Sequence, residues 1–439
     1  VVLGAQRGII VKTRISHNLR WLCFFSLLLG AAAPLVPAAQ VQVAERYAES
    51  VRGTIDDLPF VVLRGTLEQR GEAFGALCGK DCAQIMTTVI LPMLQGKNQD
   101  GWQTMLSVTK AAFTYSADDE QAAAAFIRGY RKVVPPAERA IQPLGRELSE
   151  DDLKAFQGFF DVASAGLFRI GGCSSFSAWG ELSADGAVIT GRNLDYRTFP
   201  GRFVMMVVAQ QPAEKDRLAT IEVSGPGVIG ASTAMNEQGV FVALHDEQGL
   251  PPSIPGGFCP RTSALRQAIE RARAATAVED VASTLRGKAP LMGGNVHVSM
   301  PMAAGKDSPR PSVVEWDGNA KDGGATIRAP QDDGALFCTN HFLTRRPLAT
   351  GATGDSQRRF GLLSDAVAAT RTAKGKIDAE KAKAMLNSVA RSGGTTTYLS
   401  VIAFPGNRRM MVAVFPKTGV PATQGHWVDV EWDQVFGAR

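Results

Sequence analysis

Hydrophobic positions along the chain change period once. Between Glu45 and Phe168 they recur mostly at helical spacing, whereas beyond Gly172 they gather into short β-rich runs separated by Gly, Pro, Asp and Asn. In the first stretch Ser116, with Asp119 three residues on, is a capping signal for a helix over 121–134, which Pro135-Pro136 closes. A second helix is predicted from 150 to about 165. In the second stretch, residues 203–209, 218–223, 240–244, 295–300, 335–338, 398–404 and 410–415 read as strands. Two helical stretches interrupt them. One is 263–286, where Thr276 and Glu279 form a capping-box pair that splits it; the other is 357–369, with Phe360, Leu363 and Val367 on one stripe. Strand runs and helix runs in separate blocks predict an α+β fold of stacked sheets covered by helices.

The first 38 residues follow neither pattern. Arg7, Lys12, Arg14 and Arg20 precede an apolar run from Trp21 to Leu35, which ends in the small residues Val36-Pro37-Ala38-Ala39. This order predicts a signal peptide over 1–38 and a periplasmic or secreted product. Gly30 and Pro34 break the run, which falls short of the about 20 apolar residues of a spanning helix, so no stable membrane anchor is expected. Its removal lowers the formal charge from +5 to +1, and no basic stripe interleaved with aromatics remains to suggest nucleic acid. About 400 residues are left, enough for two average domains or one large one. Their cysteines are Cys78, Cys82, Cys173, Cys259 and Cys338, an odd set that in an exported chain predicts pairing with one thiol left free.

Candidate chemistry concentrates around Cys173. The segment reads Gly171-Gly172-Cys173-Ser174-Ser175-Phe176-Ser177-Ala178, then Asp185-Gly186, then Gly191-Arg192-Asn193-Leu194-Asp195-Tyr196. Alternation after Cys173 and the Asp-Gly turn signal predict a β-hairpin whose return strand brings Arg192 and Asp195 back towards Cys173. A thiol of pKa about 8.5 is mostly protonated at neutral pH, and a nearby guanidinium favours the thiolate. Were Cys173 the first residue of its chain, its α-amine, of pKa about 7.7–8.0, would serve as general base. Asp195 would then orient that amine through a charge-assisted hydrogen bond. The uncrowded Gly171-Gly172 backbone suits an N-to-S acyl shift followed by hydrolysis between Gly172 and Cys173.

The hairpin resembles the cysteine branch of the N-terminal nucleophile hydrolases. Within it the penicillin (isopenicillin N) acyltransferase-like family is the closer resemblance, and choloylglycine hydrolases and acid ceramidase are more distant. Further motifs follow in the same order. Gly225-Pro226-Gly227 with Met235-Asn236-Glu237-Gln238-Gly239 is similar to that family's strand pair, and Thr339-Asn340-His341 to its oxyanion-hole segment. Asp355-Ser356-Gln357-Arg358-Arg359 resembles a helix start with an active-site arginine, and Thr396-Thr397-Tyr398-Leu399-Ser400-Val401 a late strand. Arg64-Gly65-Thr66-Leu67 resembles the opening segment, so the resemblance runs from about residue 60 to 415.

The resemblance implies a four-layer αββα sandwich with a mainly helical N-terminal segment, divided by self-cleavage into residues 39–172 and a catalytic chain 173–439. It implies Cys173 as nucleophile, Arg192 and Asp195 as its activating neighbours, Asn340 as oxyanion donor, and Arg358 or Arg359 as a further site residue. Trp179, Tyr196 and His245 are candidate pocket residues. Where bile-salt hydrolases carry a second asparagine, this chain has Leu244-His245-Asp246. The expected partners are a small N-acyl amide and the chain's own N-terminal fragment. A processing peptidase and a non-catalytic binding protein are the alternatives. His245, His297, His341 and His426 lack metal-ligand spacing, and no G-x-S-x-G, P-loop, dinucleotide or H-E-x-x-H motif occurs, so neither metal nor cofactor is expected.

Overall fold

Three strands open the described chain: β1 (Val41–Tyr47), β2 (Ser50–Ile55) and β3 (Leu58–Gly65). They correct the expectation of a mostly helical stretch from Glu45. Phe60, Val61, Val62 and Leu63 are all buried, so β3 reads as an unbroken apolar run without the alternation that marks a half-buried strand. The computed structural model describes residues 39–438 apart from 95–98, 164–170, 200–202, 248–256, 303–308, 320, 331, 346–353 and 418. The segment read as a signal peptide lies outside them.

Four helices follow: α1 (Leu67–Ile85) and α2 (Gln99–Ala112), then α3 (Ala117–Val133) and α4 (Glu150–Val162), which correspond to the two helices predicted at 121–134 and from 150. Thr66 with Gln69, Ser116 with Asp119 and Ser149 with Asp152 each form a reciprocal cap, satisfying amides that the first turn leaves without partners. α1 and α3 pack through Phe74 and Phe126, ring centroids 5.4 Å apart.

The remaining strands are β4 (Gly171–Ala178), β5 (Ile189–Arg197), β6 (Met206–Pro212), β7 (Thr220–Ser224), β8 (Thr233–Asn236) and β9 (Phe241–Asp246). Helices α5 (Arg261–Ile269) and α6 (Ala277–Leu285) intervene before β10 (Gly294–Ser299), β11 (Ser312–Trp316), β12 (Ala325–Arg328) and β13 (Ala335–Cys338). Then come α7 (Gly354–Thr372), α8 (Ala379–Ser388), β14 (Thr395–Phe404), β15 (Arg409–Val414) and β16 (Trp427–Glu431). The predicted split of 263–286 occurs, but the side chain that Thr276 meets is Asp280, at 2.7 Å, not Glu279.

The fold is a mixed α+β architecture with two sheets. One runs β1-β2-β3-β6-β7-β8-β9-β10-β11-β12, the other β13-β4-β5-β14-β15-β16. Each sheet has two buried faces. Val242 and Val296 of the larger sheet meet Leu265 and Val281 of α5 and α6, while Phe241 and Ala243 turn the other way into the main core. In the smaller sheet Ile402 meets Leu363 and Leu386 of α7 and α8, while Val401 and Ala403 join that same main core. Strand alternation thus covers each sheet with helices on one side and brings the two opposite faces into one cluster. The expected cysteine pairing is not found: Cys78, Cys82, Cys173, Cys259 and Cys338 are all unpaired. Cys78 and Cys82 share helix α1 one turn apart, where regular backbone disfavours disulfide geometry.

Candidate active site

Cys173 lies on β4, the middle of three strands. Towards β5 the register is Gly172 opposite Asp195, Cys173 opposite Leu194 and Ser175 opposite Arg192. The connection is longer than a tight hairpin turn: a short 3-10 turn, Gly180–Leu182, precedes Gly186, whose φ of 80° suits glycine. Towards β13 the last pair is Ser175 with Cys338. Two residues further the chain places Asn340 beside Cys173, whose amide donates to Asn340 Oδ1 at 2.8 Å.

The thiol is buried, and burial pushes its pKa up to about 11 although the Arg192 guanidinium opposes the rise. Arg192 Nη2 is 3.9 Å from Sγ and donates to the Leu244 carbonyl at 2.9 Å. Among the described residues, Arg192 Nε and Nη1 have no hydrogen-bond partner. Asp195 is fully buried; its Oδ1 accepts from Thr397 Oγ1 at 2.7 Å. Among the described residues its Oδ2 accepts no hydrogen bond, and Arg391 Nε stands 3.5 Å away. Burial raises the Asp195 pKa, against the pull of Arg359 and the Thr397 hydrogen bond.

Helix α7 separates the two candidate arginines. Ser356, Arg359, Leu363 and Val367 form its buried face. Arg359 donates to the Cys173 carbonyl, to Ser174 Oγ at 3.2 Å and to Asn340 Oδ1 at 2.8 Å. Its Nε holds Asp355 Oδ2 at 2.9 Å. Arg358 is exposed and, among the described residues, pairs with Asp355 alone, at 3.1 Å. Two donors, the Cys173 amide and Arg359 Nη2, converge on one end of the Asn340 amide, so that end must be the oxygen. Its nitrogen donates to the Asp246 carbonyl at 2.6 Å. Asn340 therefore holds the nitrogen of Cys173 through its oxygen, while one of its two amide hydrogens goes to the Asp246 backbone carbonyl.

A cavity opens on Cys173, walled by Phe160, Tyr196, Phe199, Phe203, Met205 and Tyr398. Its rings form a connected set, with Phe199 4.9 Å from Tyr398 and 5.5 Å from Phe203. The Phe199 amide donates to the Tyr398 hydroxyl at 2.7 Å, which fixes that wall. At the polar end Arg261 pairs with Asp161 and, at 2.9 Å, with Asp246. Of the three candidate pocket residues, Tyr196 lines this cavity and two do not. Leu244 and Asp246 of β9 face it, so His245 between them points to the opposite face by strand alternation. There its Nδ1 lies 3.1 Å from the Ala243 carbonyl, and burial with the nearby Arg192 charge keeps its pKa well below the usual value. Trp179 packs instead against Val188, Val313 and Leu336.

Sequence reading missed Arg391, Thr397 and Asp355 as neighbours of the site, and Phe160 as a wall of the cavity. Thr397 falls within the quoted Thr396–Val401 motif and Asp355 within the helix-start motif, but Arg391 belongs to neither. Among the described residues, no group of His, Cys, Asp and Glu is arranged to hold a metal, and no helix is long and apolar enough to cross a membrane.

No protein-family model matches the chain, and no curated protein does. Among solved structures it is similar to a single-residue mutant of conjugated bile acid hydrolase from Clostridium perfringens, at 13% identity over 60% of this chain and 93% of that one, TM-score 0.41. It is also similar to the Caenorhabditis elegans ortholog of N-acylethanolamine-hydrolyzing acid amidase, at 17% identity over 58% and 99% of the two chains, TM-score 0.36. Penicillin V acylase from Agrobacterium tumefaciens is a third, at 14% identity over 60% and 87%, TM-score 0.39.

Proposed function

We propose that this chain is the precursor of an exported cysteine N-terminal nucleophile hydrolase with the αββα sandwich of that group. Residues 1–38 are its signal peptide, cleavage between Gly172 and Cys173 matures it, and the product splits, or transfers the acyl group of, a small N-acyl amide. The observation that carries this reading is the buried Asp195 Oδ2, on the residue opposite Gly172, which accepts no hydrogen bond from the described residues while the chain is whole. A buried carboxylate oxygen without a donor is costly. Freeing the α-amine of Cys173 beside it would supply a donor.

In self-cleavage, Cys173 Sγ attacks the Gly172 carbonyl carbon, and the carbonyl electron pair moves to oxygen. Collapse breaks the bond to the Cys173 nitrogen, which takes up the proton the thiol has given. Water then breaks the thioester, leaving a Gly172 carboxylate, a free amine and a free thiol. In turnover that amine accepts the thiol proton, Sγ attacks the substrate carbonyl, and the leaving amine departs with the proton. Water, or a competing amine or thiol, releases the acyl group. The aromatic lining of the cavity suits an apolar acyl portion.

N-terminal sequencing of the purified chains tests the reading. The expected result is two polypeptides on a denaturing gel, one beginning at Cys173, with Cys173→Ala remaining whole. A wild-type chain that stays continuous through Gly172 yet hydrolyses acyl amides would refute self-cleavage. Peptide cleavage without any acyl-amide turnover would replace the substrate class by that of a processing peptidase.

A further inference from the structure

Arg391 lies between α8 and β14, outside every motif read from the sequence, yet it covers the residue before the thiol. A methyl group placed on Gly172 would sit 3.1 Å from Arg391 Cζ and 3.3 Å from each terminal nitrogen, so the guanidinium lies across the face of the Gly172 Cα. Two carboxylates steer it there. Asp355 Oδ2 pairs closely with Nη2, and Asp195 Oδ2 stands 3.5 Å from Nε without a hydrogen bond between them. The backbone around Arg391 is tied down as well. Its amide donates to Thr397 Oγ1 at 2.8 Å, its carbonyl accepts from the Thr397 amide at 3.0 Å, and the same Thr397 hydroxyl holds Asp195 at 2.7 Å. One threonine thus positions both members of a loose ion pair beside Gly172.

Breaking the peptide at this point creates two charges of opposite sign next to two charges already in place. The nitrogen of Cys173 becomes an ammonium and the carbonyl of Gly172 becomes a carboxylate. Resting on the maturation reading above, we infer that Arg391 acts directly in self-cleavage. It stabilises negative charge developing on the Gly172 carbonyl oxygen and then holds the Gly172 carboxylate, while Asp195 passes from Arg391 to the new ammonium. A loose pair serves such an exchange better than a bidentate one, which would have to be broken first. A β-carbon at 172 would displace the guanidinium by a few tenths of an ångström from this position.

The test is the rate of self-cleavage of the full-length chain, followed on denaturing gels after synthesis. Arg391→Ala should slow it at least tenfold with an unchanged melting temperature, and added guanidinium should restore several-fold of the loss. Gly172→Ala should slow it too, and the double variant should be no slower than the slower single variant, since both remove one interaction. Cleavage of Arg391→Ala within twofold of wild type overturns the inference. So does a loss that guanidinium leaves untouched and that multiplies with the Gly172→Ala effect, the pattern of a merely structural residue. A wild-type chain that never cleaves fails the maturation reading itself, which these variants then need not address.

Discussion

At Cys173 two forces act on one proton: burial lifts the thiol to about 11, and Arg192, 3.9 Å from the sulfur, pulls the other way without prevailing. Raising the pH towards that value deprotonates the thiol, and each unit below it cuts the thiolate about tenfold. Self-cleavage through the thiolate should therefore accelerate from about pH 7 to 10, with a slope of about one in the logarithm of the rate. The proposed matured enzyme should behave differently, because its base would be an α-amine, a group whose reference pKa of about 7.7–8.0 lies well below that of the buried thiol; its turnover should level off at a lower pH than self-cleavage does. Two profiles measured on one preparation check this, and coincident profiles would remove the α-amine from the mechanism. Asn340 belongs to the same scale. Its oxygen holds the Cys173 nitrogen in the intact chain and would be placed to accept from the amine that the proposed cleavage frees.

The elements decide which side chains can meet. On α7 the buried positions Ser356, Arg359, Leu363 and Val367 repeat at three and four residues, and Arg358 falls outside that face. Arg359→Ala should cost turnover about a hundredfold, about 3 kcal/mol for hydrogen bonds from a buried charge. Arg358→Ala should change it by less than about twofold, since an exposed ion pair contributes little. Steady-state kinetics of the two variants, each checked for intact self-cleavage, decide between them. The distinction was legible in the sequence, because Arg359 stands four residues before Leu363 and eight before Val367 on the stripe already recognised. The alternation of β9 excludes His245 from the cavity in the same way, by period alone. Neither the three opening strands nor Arg391 was legible by such means. β3 is buried through residues 60–63 and so shows no period of its own, β1 and β2 are short and only partly buried, and Arg391 lies outside regular structure.

For the molecule as a whole, the order of strands matters more than their number. β3 runs parallel to β6, pairing Phe60 with Val207 through Gly65 with Pro212, so residues on either side of the proposed cut share one sheet. Asp161 of α4 pairs with Arg261 of α5 across the same divide, and both ions are buried. After cleavage the fragments 39–172 and 173–439 should elute together in native buffer and separate only in denaturant. Size-exclusion chromatography with mass analysis checks this, and dissociation in mild buffer would show that the shared core does not hold them. By itself the sequence determined the capped helices, most later strands and the identity of the chemical groups around Cys173, because capping, period and motif spacing are local. Only the tertiary structure decided that Asn340, 167 positions away, grips the Cys173 nitrogen. It likewise decided that Arg391 covers Gly172 and that the cavity wall draws on α4. Those contacts follow from which strands pair and how the two sheets face each other, an outcome of burying the whole chain at once that no local period records.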